Sequence, residues 1–129
     1  MTWNLFIDDE RMPADVTWAP WEIQEKYRNE EWVIARNGME ATYAIAEHGS
    51  FPSYISFDHD LGDKDDGETG YDYAKRLVDM DMDNNFPRYK FSKDFDYYVH
   101  SKNPVGKANI EGLLNNYLEF KNERCNPRL

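Results

Sequence analysis

The chain has 129 residues, of which 40% are hydrophobic and 16% aromatic, and its formal net charge is -10. This length and apolar content predict a single folded domain over residues 1–129, with residues 121–129 as a frayed tail, and argue against disorder. The negative charge argues against broad binding to a nucleic-acid backbone, because such binding needs a basic face that displaces counterions.

The first part of the chain alternates between strand and helix signals. Residues 3–7 form a short apolar run, which predicts a buried strand that ends at Asp8 and Asp9. Pro20 suits the first turn of a following helix, and residues 32–35 predict the second strand. This alternation is typical of α/β domains.

The middle of the chain repeats the pattern. Asn37 predicts the N-cap of a second helix, and Gly49 is a typical helix stop. Residues 54–57 predict a third strand, and the acids Asp58 and Asp60 follow it closely. Acidic residues therefore follow two of the predicted strands.

The C-terminal half contains two more helix signals. Thr69 predicts the cap of a third helix, and residues 80–96 read as a connector that holds at most one short strand. Residues 97–100 predict the fourth strand, and the last helix is expected to begin near Pro104 with Asn103 as its cap. Repeated strand-helix units predict a three-layer α/β sandwich, with a mainly parallel sheet of four to five strands.

The acids at the strand ends are the first candidate site. In open α/β sheets, ligands bind beyond the carboxyl ends of the strands, so we expect these acids to share one crevice. Close carboxylates repel unless a cation neutralises them, and oxygen ligands suit Mg²⁺, with Mn²⁺ or Ca²⁺ as alternatives. The expected metal ligands are Asp8, Asp9, Asp58 and Asp60. The alternative is that these acids only cap helices or solvate loops.

Residues 100–107 are a candidate phosphate site. A strand that leads into a helix N-terminus exposes backbone amides, and the helix dipole there favours an anion. His100 could move a proton near neutral pH, and the Ser101 hydroxyl could donate to phosphate. The other expected phosphate contacts are Lys102, Lys107, Asn103 and the amides near Val105 and Gly106. The alternative is a structural histidine followed by an ordinary helix start.

Two neighbouring features are expected to be structural. Strand alternation would point His59 away from the acids on either side of it. The acids Asp63, Asp65, Asp66 and Glu68 lack the spacing of an EF-hand, so they predict a solvated loop.

Several of these motifs resemble known receiver domains. Residues 5–9, residues 33–41 and Asp58 are similar to the receiver domains of two-component response regulators. A closer resemblance is to the divergent family of cyclic-phosphate processing receiver domains. The segments that carry it are residues 7–11, 57–62, 69–72 and 100–106, which keep their order along most of the chain.

The resemblance implies a flavodoxin-like, receiver-like fold. It also implies that Asp8 and Asp9 bind metal, and that Asp58 occupies the phosphoacceptor position of ordinary receivers. Its implied role is to bind or process a cyclic phosphate in a nucleotide or an RNA end. Two departures from ordinary receivers argue against phosphorelay signalling. The sequence predicts only four strand-helix units, and apart from Lys102 it has no counterpart of the lysine that follows the fifth strand in receivers.

The sequence thus favours metal-dependent binding and processing of a cyclic phosphate, a phosphoesterase-like activity. Asp58, His100 and Ser101 are the expected catalytic residues. There are two alternatives. One is a non-catalytic module that senses a cyclic nucleotide, and the other is a receiver domain that accepts a phosphoryl group.

The expected location is the cytoplasm. The single cysteine, Cys125, cannot form an internal disulfide, and the N-terminal sequence lacks the pattern of a signal peptide. No apolar run approaches the roughly 20 residues that a membrane helix needs. We therefore expect no membrane contact, and the sequence indicates no obligate protein partner.

Overall fold

The structure, a computed structural model, describes residues 2–61 and 67–124. Strands and helices alternate in these two ranges. The elements are β1 (Asn4–Ile7), α1 (Trp21–Asn29), β2 (Val33–Ala35), α2 (Gly38–His48), β3 (Tyr54–Phe57), α3 (Gly70–Met82), β4 (Asp96–Val99) and α4 (Pro104–Arg124), with a 3-10 turn at Pro13–Asp15 before α1. In these ranges no helix is both long enough and apolar enough to cross a membrane. Of the predicted solvated loop, Asp63, Asp65 and Asp66 lie outside the described residues, whereas Glu68 forms an ion pair of 2.7 Å with Arg76 of α3.

The four strands form one parallel sheet in the order β2-β1-β3-β4. Leu5 of β1 lies between Val33 of β2 and Ile55 of β3, and Ile55 pairs with Tyr97 of β4. The strand order reverses between β1 and β3, and a crevice forms at such a switch point beside the carboxyl ends of the strands. The predicted parallel sheet is confirmed with four strands in the described residues, and the connector 83–95 adds none.

Helices cover both faces of the sheet. Leu5 and Ile7 of β1 belong to the larger apolar cluster, which includes side chains of α2, α3 and α4. Phe6, which alternates with them, packs on the other face against Tyr27 of α1. This three-layer arrangement confirms the predicted receiver-like, flavodoxin-like fold.

Local signals set the starts of α2 and α3 as predicted. The Asn37 side chain accepts a hydrogen bond from the Glu40 amide, and Thr69 and Asp72 form a reciprocal capping box at α3. Gly70 brings the first turn of α3 so close to the backbone carbonyl of Asp58 that a larger side chain would overlap it. The start of α3 therefore packs directly against the loop that follows β3.

The predicted frayed tail begins too early. Helix α4 continues through residue 124, and Lys121 forms an ion pair of 2.7 Å with the buried carboxylate of Asp81 in α3. Asp81 also accepts hydrogen bonds from the Phe91 amide and the Tyr117 hydroxyl. A polar residue near a chain end is expected to be solvated, whereas Lys121 binds Asp81, which is distant in the sequence. Residues 125–129 lie outside the described part.

Candidate functional site

A cavity of about 350 Å³ lies beyond the carboxyl ends of β1 and β3, at the switch point of the sheet. It is lined by Asp9, Glu10, Arg11, Asp58, Asp60, Ser101, Lys102 and Asn103. Acidic and basic side chains from three separate segments thus meet in one small space. A larger cavity, of about 760 Å³, lies at the amino ends of the strands, beside Trp3 and Asp96. None of the predicted site residues lines it.

Asp8 is fully buried directly behind this cavity. Its Oδ1 accepts hydrogen bonds from the Glu10 and Arg11 amides at 2.8 and 2.9 Å. Its Oδ2 accepts from His100 Nε2 at 2.9 Å and from Arg11 Nη1 at 3.3 Å. Burial alone would raise the pKa of Asp8, but the hydrogen bonds from His100 and the two amides hold it well below the usual range.

Asp58 is the second buried carboxylate, at the end of β3. Its Oδ1 accepts a hydrogen bond of 2.9 Å from the His59 amide, and its side chain also bonds to the Ser101 hydroxyl. Burial and the neighbouring charge of Asp8 raise the pKa of Asp58. One oxygen from each carboxylate and a ring nitrogen of His100 lie within 4.8 Å of one another, which is close enough to hold a metal ion.

His100 is completely buried and lies behind Asp8. Its Nδ1 lies 2.7 Å from Ser56 Oγ, which in turn lies 2.6 Å from the Tyr27 hydroxyl. Its ring stacks on Phe6 with centroids 4.6 Å apart. A neutral imidazole satisfies every group in this series of hydrogen bonds. Tyr27 donates to Ser56, Ser56 donates to Nδ1, and Nε2–H donates to Asp8. The expected transfer of a proton from His100 directly to a ligand does not fit this geometry, because both ring nitrogens are engaged away from the cavity.

Asp9 and Asp60, the other two expected metal ligands, lie at the rim. Both line the cavity, but neither belongs to the compact group of ligand atoms found among the described residues. The Asp60 side chain is 66% exposed, and its oxygens lie 3.4 Å from Asn103 Nδ2. Burial and the charge of Asp8 raise the pKa of Asp9.

The segment after β4 reaches the cavity through Ser101, Lys102 and Asn103. Asn103 caps α4 as predicted, because its Oδ1 accepts a hydrogen bond of 3.0 Å from the Gly106 amide. This bond uses the Gly106 amide that the sequence assigned to phosphate. Ser101 Oγ accepts from the Asn103 amide at 3.1 Å while also bonding to Asp58.

Lys107 and Val105 do not line the cavity. The Lys107 ammonium, an expected phosphate contact, donates instead to the backbone oxygen of Val99 at 2.6 Å. Val105 lies in the first turn of α4 with its side chain 69% exposed.

His59 lies closer to the acids than strand alternation predicted. Its Nδ1 is 3.2 Å from Asp60 Oδ1, and its ring packs against Gly106 so tightly that a larger residue there would overlap it. Strand β3 ends at Phe57, so the alternation that would turn His59 away no longer applies. His59 thereby links the loop after β3 to the start of α4.

Sequence reasoning missed the roles of Arg11 and Trp18. Arg11 Nη1 lies 3.3 Å from Asp8 Oδ2 and 3.8 Å from Asp58 Oδ2, between the two carboxylates. The Trp18 ring lies beside Arg11 and Lys102, at 5.1 and 4.2 Å from its centroid, and its indole N–H donates to the His100 backbone oxygen at 2.8 Å. The place of Arg11 three residues after Asp8 is a signal for its contact, whereas nothing in the turn sequence points to Trp18.

Comparison with known proteins identifies one family. A family model described as the cyclic-phosphate processing receiver domain matches residues 3–116. The matched span contains all four strands and every residue that lines the cavity. No curated protein and no solved structure gives a significant match.

Proposed function

Because the chain belongs to the family of cyclic-phosphate processing receiver domains, we propose that it binds and processes a cyclic phosphate in a nucleotide or an RNA end. The observation that carries this proposal is the meeting of two buried carboxylates, Asp8 and Asp58, with two cations, Arg11 and Lys102, at one cavity. Carboxylates favour a divalent cation, and basic side chains favour phosphate oxygens. The cavity volume is at the small end of the range for ligand pockets, roughly 300–1,000 Å³.

The donor set fits a hard divalent cation, with Mg²⁺ the leading choice and Mn²⁺ or Ca²⁺ as alternatives. Asp8 and Asp58 would hold it, since an Oδ2 atom from each faces the same point near Arg11. Asp9 and Asp60 are the rim acids that could add contacts through water. A bound Mg²⁺ would neutralise phosphate charge and lower the pKa of a coordinated water.

The remaining residues bind and orient the phosphate in this proposal. Lys102 and Arg11 donate to phosphate oxygens, and the Ser101 hydroxyl lies at the same cavity. Asp58 would serve the reaction by holding the cation, because its side chain reaches the cavity. His100 is assigned a positioning role, since it holds Asp8 from behind.

Non-catalytic capture of a cyclic nucleotide is the second candidate function. The observation that favours it is the complete burial of His100, which leaves the cavity without the histidine expected to act as acid or base. The same cation and phosphate contacts would then serve binding alone. A third reading, phosphate transfer onto Asp58 itself, draws on the phosphoacceptor position that this residue shares with ordinary receivers.

The deciding experiment incubates the purified protein with 2′,3′-cyclic nucleotides, cyclic dinucleotides and RNA that ends in a 2′,3′-cyclic phosphate, with Mg²⁺ or with EDTA. Phosphorus NMR reports turnover, and calorimetry reports binding. Mg²⁺-dependent turnover that Asp58→Asn abolishes, and that Asp94→Asn on the far side of the molecule leaves unchanged, supports the enzyme.

Binding without turnover supports the capture module. A wild-type protein that neither binds nor converts any of these ligands overturns both functions. Acetyl phosphate labels an ordinary receiver at its acceptor aspartate, so labelling that survives Asp58→Asn removes the third reading.

A further inference from the structure

We propose that Arg11 is an exchangeable counter-ion: it neutralises Asp8 and Asp58 in the cation-free protein, and it moves onto the ligand phosphate when a divalent cation binds. This inference rests on the proposed function, because it requires a cation and a phosphate at the same cavity. The inference adds a coupling between cation binding and phosphate binding. The presence of the binding residues alone does not imply such a coupling.

Arg11 contacts the same carboxylate oxygens that a divalent cation would use. Its Nη1 lies 3.3 Å from Asp8 Oδ2 and 3.8 Å from Asp58 Oδ2, so one positive group faces both carboxylates. The backbone amides occupy the other oxygen of each carboxylate. A second cation bound at these Oδ2 atoms would repel the guanidinium at close range, so the two compete.

Among the partners of Asp8, Arg11 is the one most able to move away. The other contacts of Asp8 measure 2.8 to 2.9 Å and come from two backbone amides and the buried His100. The Arg11 contact is longer, at 3.3 Å, and its side chain is 31% exposed. Movement of this side chain would break no backbone hydrogen bond, and the incoming cation would take over the two carboxylate oxygens that the guanidinium leaves.

The surroundings of Arg11 offer its guanidinium a second position, beside Trp18 and Lys102. Its guanidinium lies beside the Trp18 ring, and Lys102 lies beside the same ring at 4.2 Å from the centroid. The indole N–H fixes this ring by its bond to the His100 backbone oxygen. Arg11 can therefore keep its aromatic contact while it turns from the carboxylates to a phosphate that Lys102 also contacts.

These steps make cation and phosphate binding mutually reinforcing. A divalent cation removes the need for Arg11 at the carboxylates, and the released guanidinium then adds a charge-assisted contact to phosphate. By linkage, phosphate must favour cation binding by the same factor. Arg11 should thus oppose the cation when it binds alone and support it when phosphate is present.

The test measures Mn²⁺ and 2′,3′-cyclic AMP binding by calorimetry, separately and together, in the wild type and in Arg11→Gln. The control is Arg28→Gln, which removes the same charge from an exposed site on α1. We expect Arg11→Gln to bind Mn²⁺ alone several-fold more tightly than Arg28→Gln does. It should bind the cyclic nucleotide in saturating Mn²⁺ about tenfold or more weakly, which is the usual loss for a hydrogen bond to a charged group.

Tryptophan fluorescence gives a second measurement that needs no nucleotide and no activity. Titration with Mg²⁺ should change the emission of the wild type and of Arg28→Gln, because the guanidinium moves relative to the Trp18 ring. The change should disappear in Trp18→Phe and in Arg11→Gln. If Arg11→Gln fails to fold, the wild type still tests the inference, because an emission that stays unchanged while Mg²⁺ binds overturns it.

The outcomes separate this inference from the proposed function. A wild type that binds neither Mn²⁺ nor the cyclic nucleotide overturns the proposed function and the inference together. A wild type that binds both, with Arg11→Gln indistinguishable from Arg28→Gln, overturns the inference alone. Tighter Mn²⁺ binding by Arg11→Gln with unchanged nucleotide affinity also overturns it, because Arg11 would then not reach the phosphate.

Discussion

At the scale of single residues, the two buried carboxylates differ in what stabilises their charge. Asp8 receives hydrogen bonds from two amides and His100, which lower its pKa despite burial. For Asp58, burial and the charge of Asp8 outweigh its hydrogen bonds and raise its pKa. The same substitution should therefore have opposite effects at the two positions in the cation-free protein.

We expect Asp8→Asn to lower the free energy of unfolding by about 1.5–3 kcal/mol at neutral pH in EDTA, since charge-assisted hydrogen bonds are lost. Asp58→Asn should raise it, because a repulsive buried charge disappears. Urea denaturation of both variants measures the two changes. A loss of similar size in both would show that the structure assigns the wrong balance to Asp58.

The pH dependence follows from the same two shifts. The stability from Asp8 is complete above the ordinary value of 3.8 and is lost as the pH falls through the lower folded pKa. The ionised Asp58 carries a cost that grows as the pH rises from 3.8 through its higher folded pKa. The benefit of Asp58→Asn should thus vanish in acid, where both states hold the proton, and denaturation in EDTA at several pH values checks this.

The buried chain behind Asp8 makes a second prediction at this scale. Ser56→Ala should cost about 1–3 kcal/mol of stability, because it leaves His100 Nδ1 and the Tyr27 hydroxyl without their shared partner. Ser53→Ala is the control, since its hydroxyl makes one partly buried bond to a backbone oxygen. Ser56→Ala should also weaken Mg²⁺ binding if the chain holds Asp8 in place.

Equal stability of the two serine variants, with equal Mg²⁺ affinity, would show that the hydrogen-bond series from Tyr27 to Asp8 neither stabilises the protein nor positions Asp8.

The buried position of His100 was not predictable from the sequence. A histidine at a strand end can face a ligand or the interior, and only its packing on Phe6 decides the matter. The acids Asp8 and Asp58 were predictable, because the carboxyl ends of neighbouring parallel strands meet at one edge of the sheet.

At the scale of elements, short-range chemistry was easier to predict than long-range contact. Asn37, Thr69 and Asn103 each cap a helix through a bond to an amide three residues ahead, which a sequence pattern records directly. The bond between Asp81 and Lys121 joins residues 40 positions apart. Nothing local to Lys121 shows that its partner exists, so the sequence placed the start of the frayed tail too early.

The contact between α4 and the loop after β3 makes the prediction at this scale. Gly106→Ala should destabilise the protein by about 1–3 kcal/mol, because the added methyl group would overlap the His59 ring. Gly112→Ala, later in the same helix, meets open space and should instead stabilise it by about 0.5–1 kcal/mol. Urea denaturation of both variants measures the difference.

The double variant His59→Ala with Gly106→Ala should recover part of the loss, because the smaller side chain makes room. No recovery would mean that the cost of Gly106→Ala arises elsewhere in α4. A stabilising effect of Gly106→Ala would contradict the close packing of this helix against His59.

At the scale of the whole molecule, charge is distributed unevenly. The formal net charge is -10, yet Arg11 and Lys102 stand together at the cavity beside Trp18. A ligand phosphate would therefore meet a local positive pair on an acidic body. Such a surface suits the recognition of one terminal phosphate and repels the remaining phosphates of a long strand.

The last prediction concerns RNA length. A short RNA with a 2′,3′-cyclic phosphate end should bind at least as tightly as a longer RNA with the same end, because the acidic surface adds no attraction for the backbone. The logarithm of the association constant should fall with the logarithm of salt concentration with a slope of about -0.7, as expected for one neutralised phosphate on a single strand. Fluorescence anisotropy over a salt series measures both quantities, with the 3′-hydroxyl form of each RNA as the control for end recognition. Affinity that increases with length, together with a much steeper salt slope, would instead indicate a basic backbone-binding face, which the charge of this chain argues against.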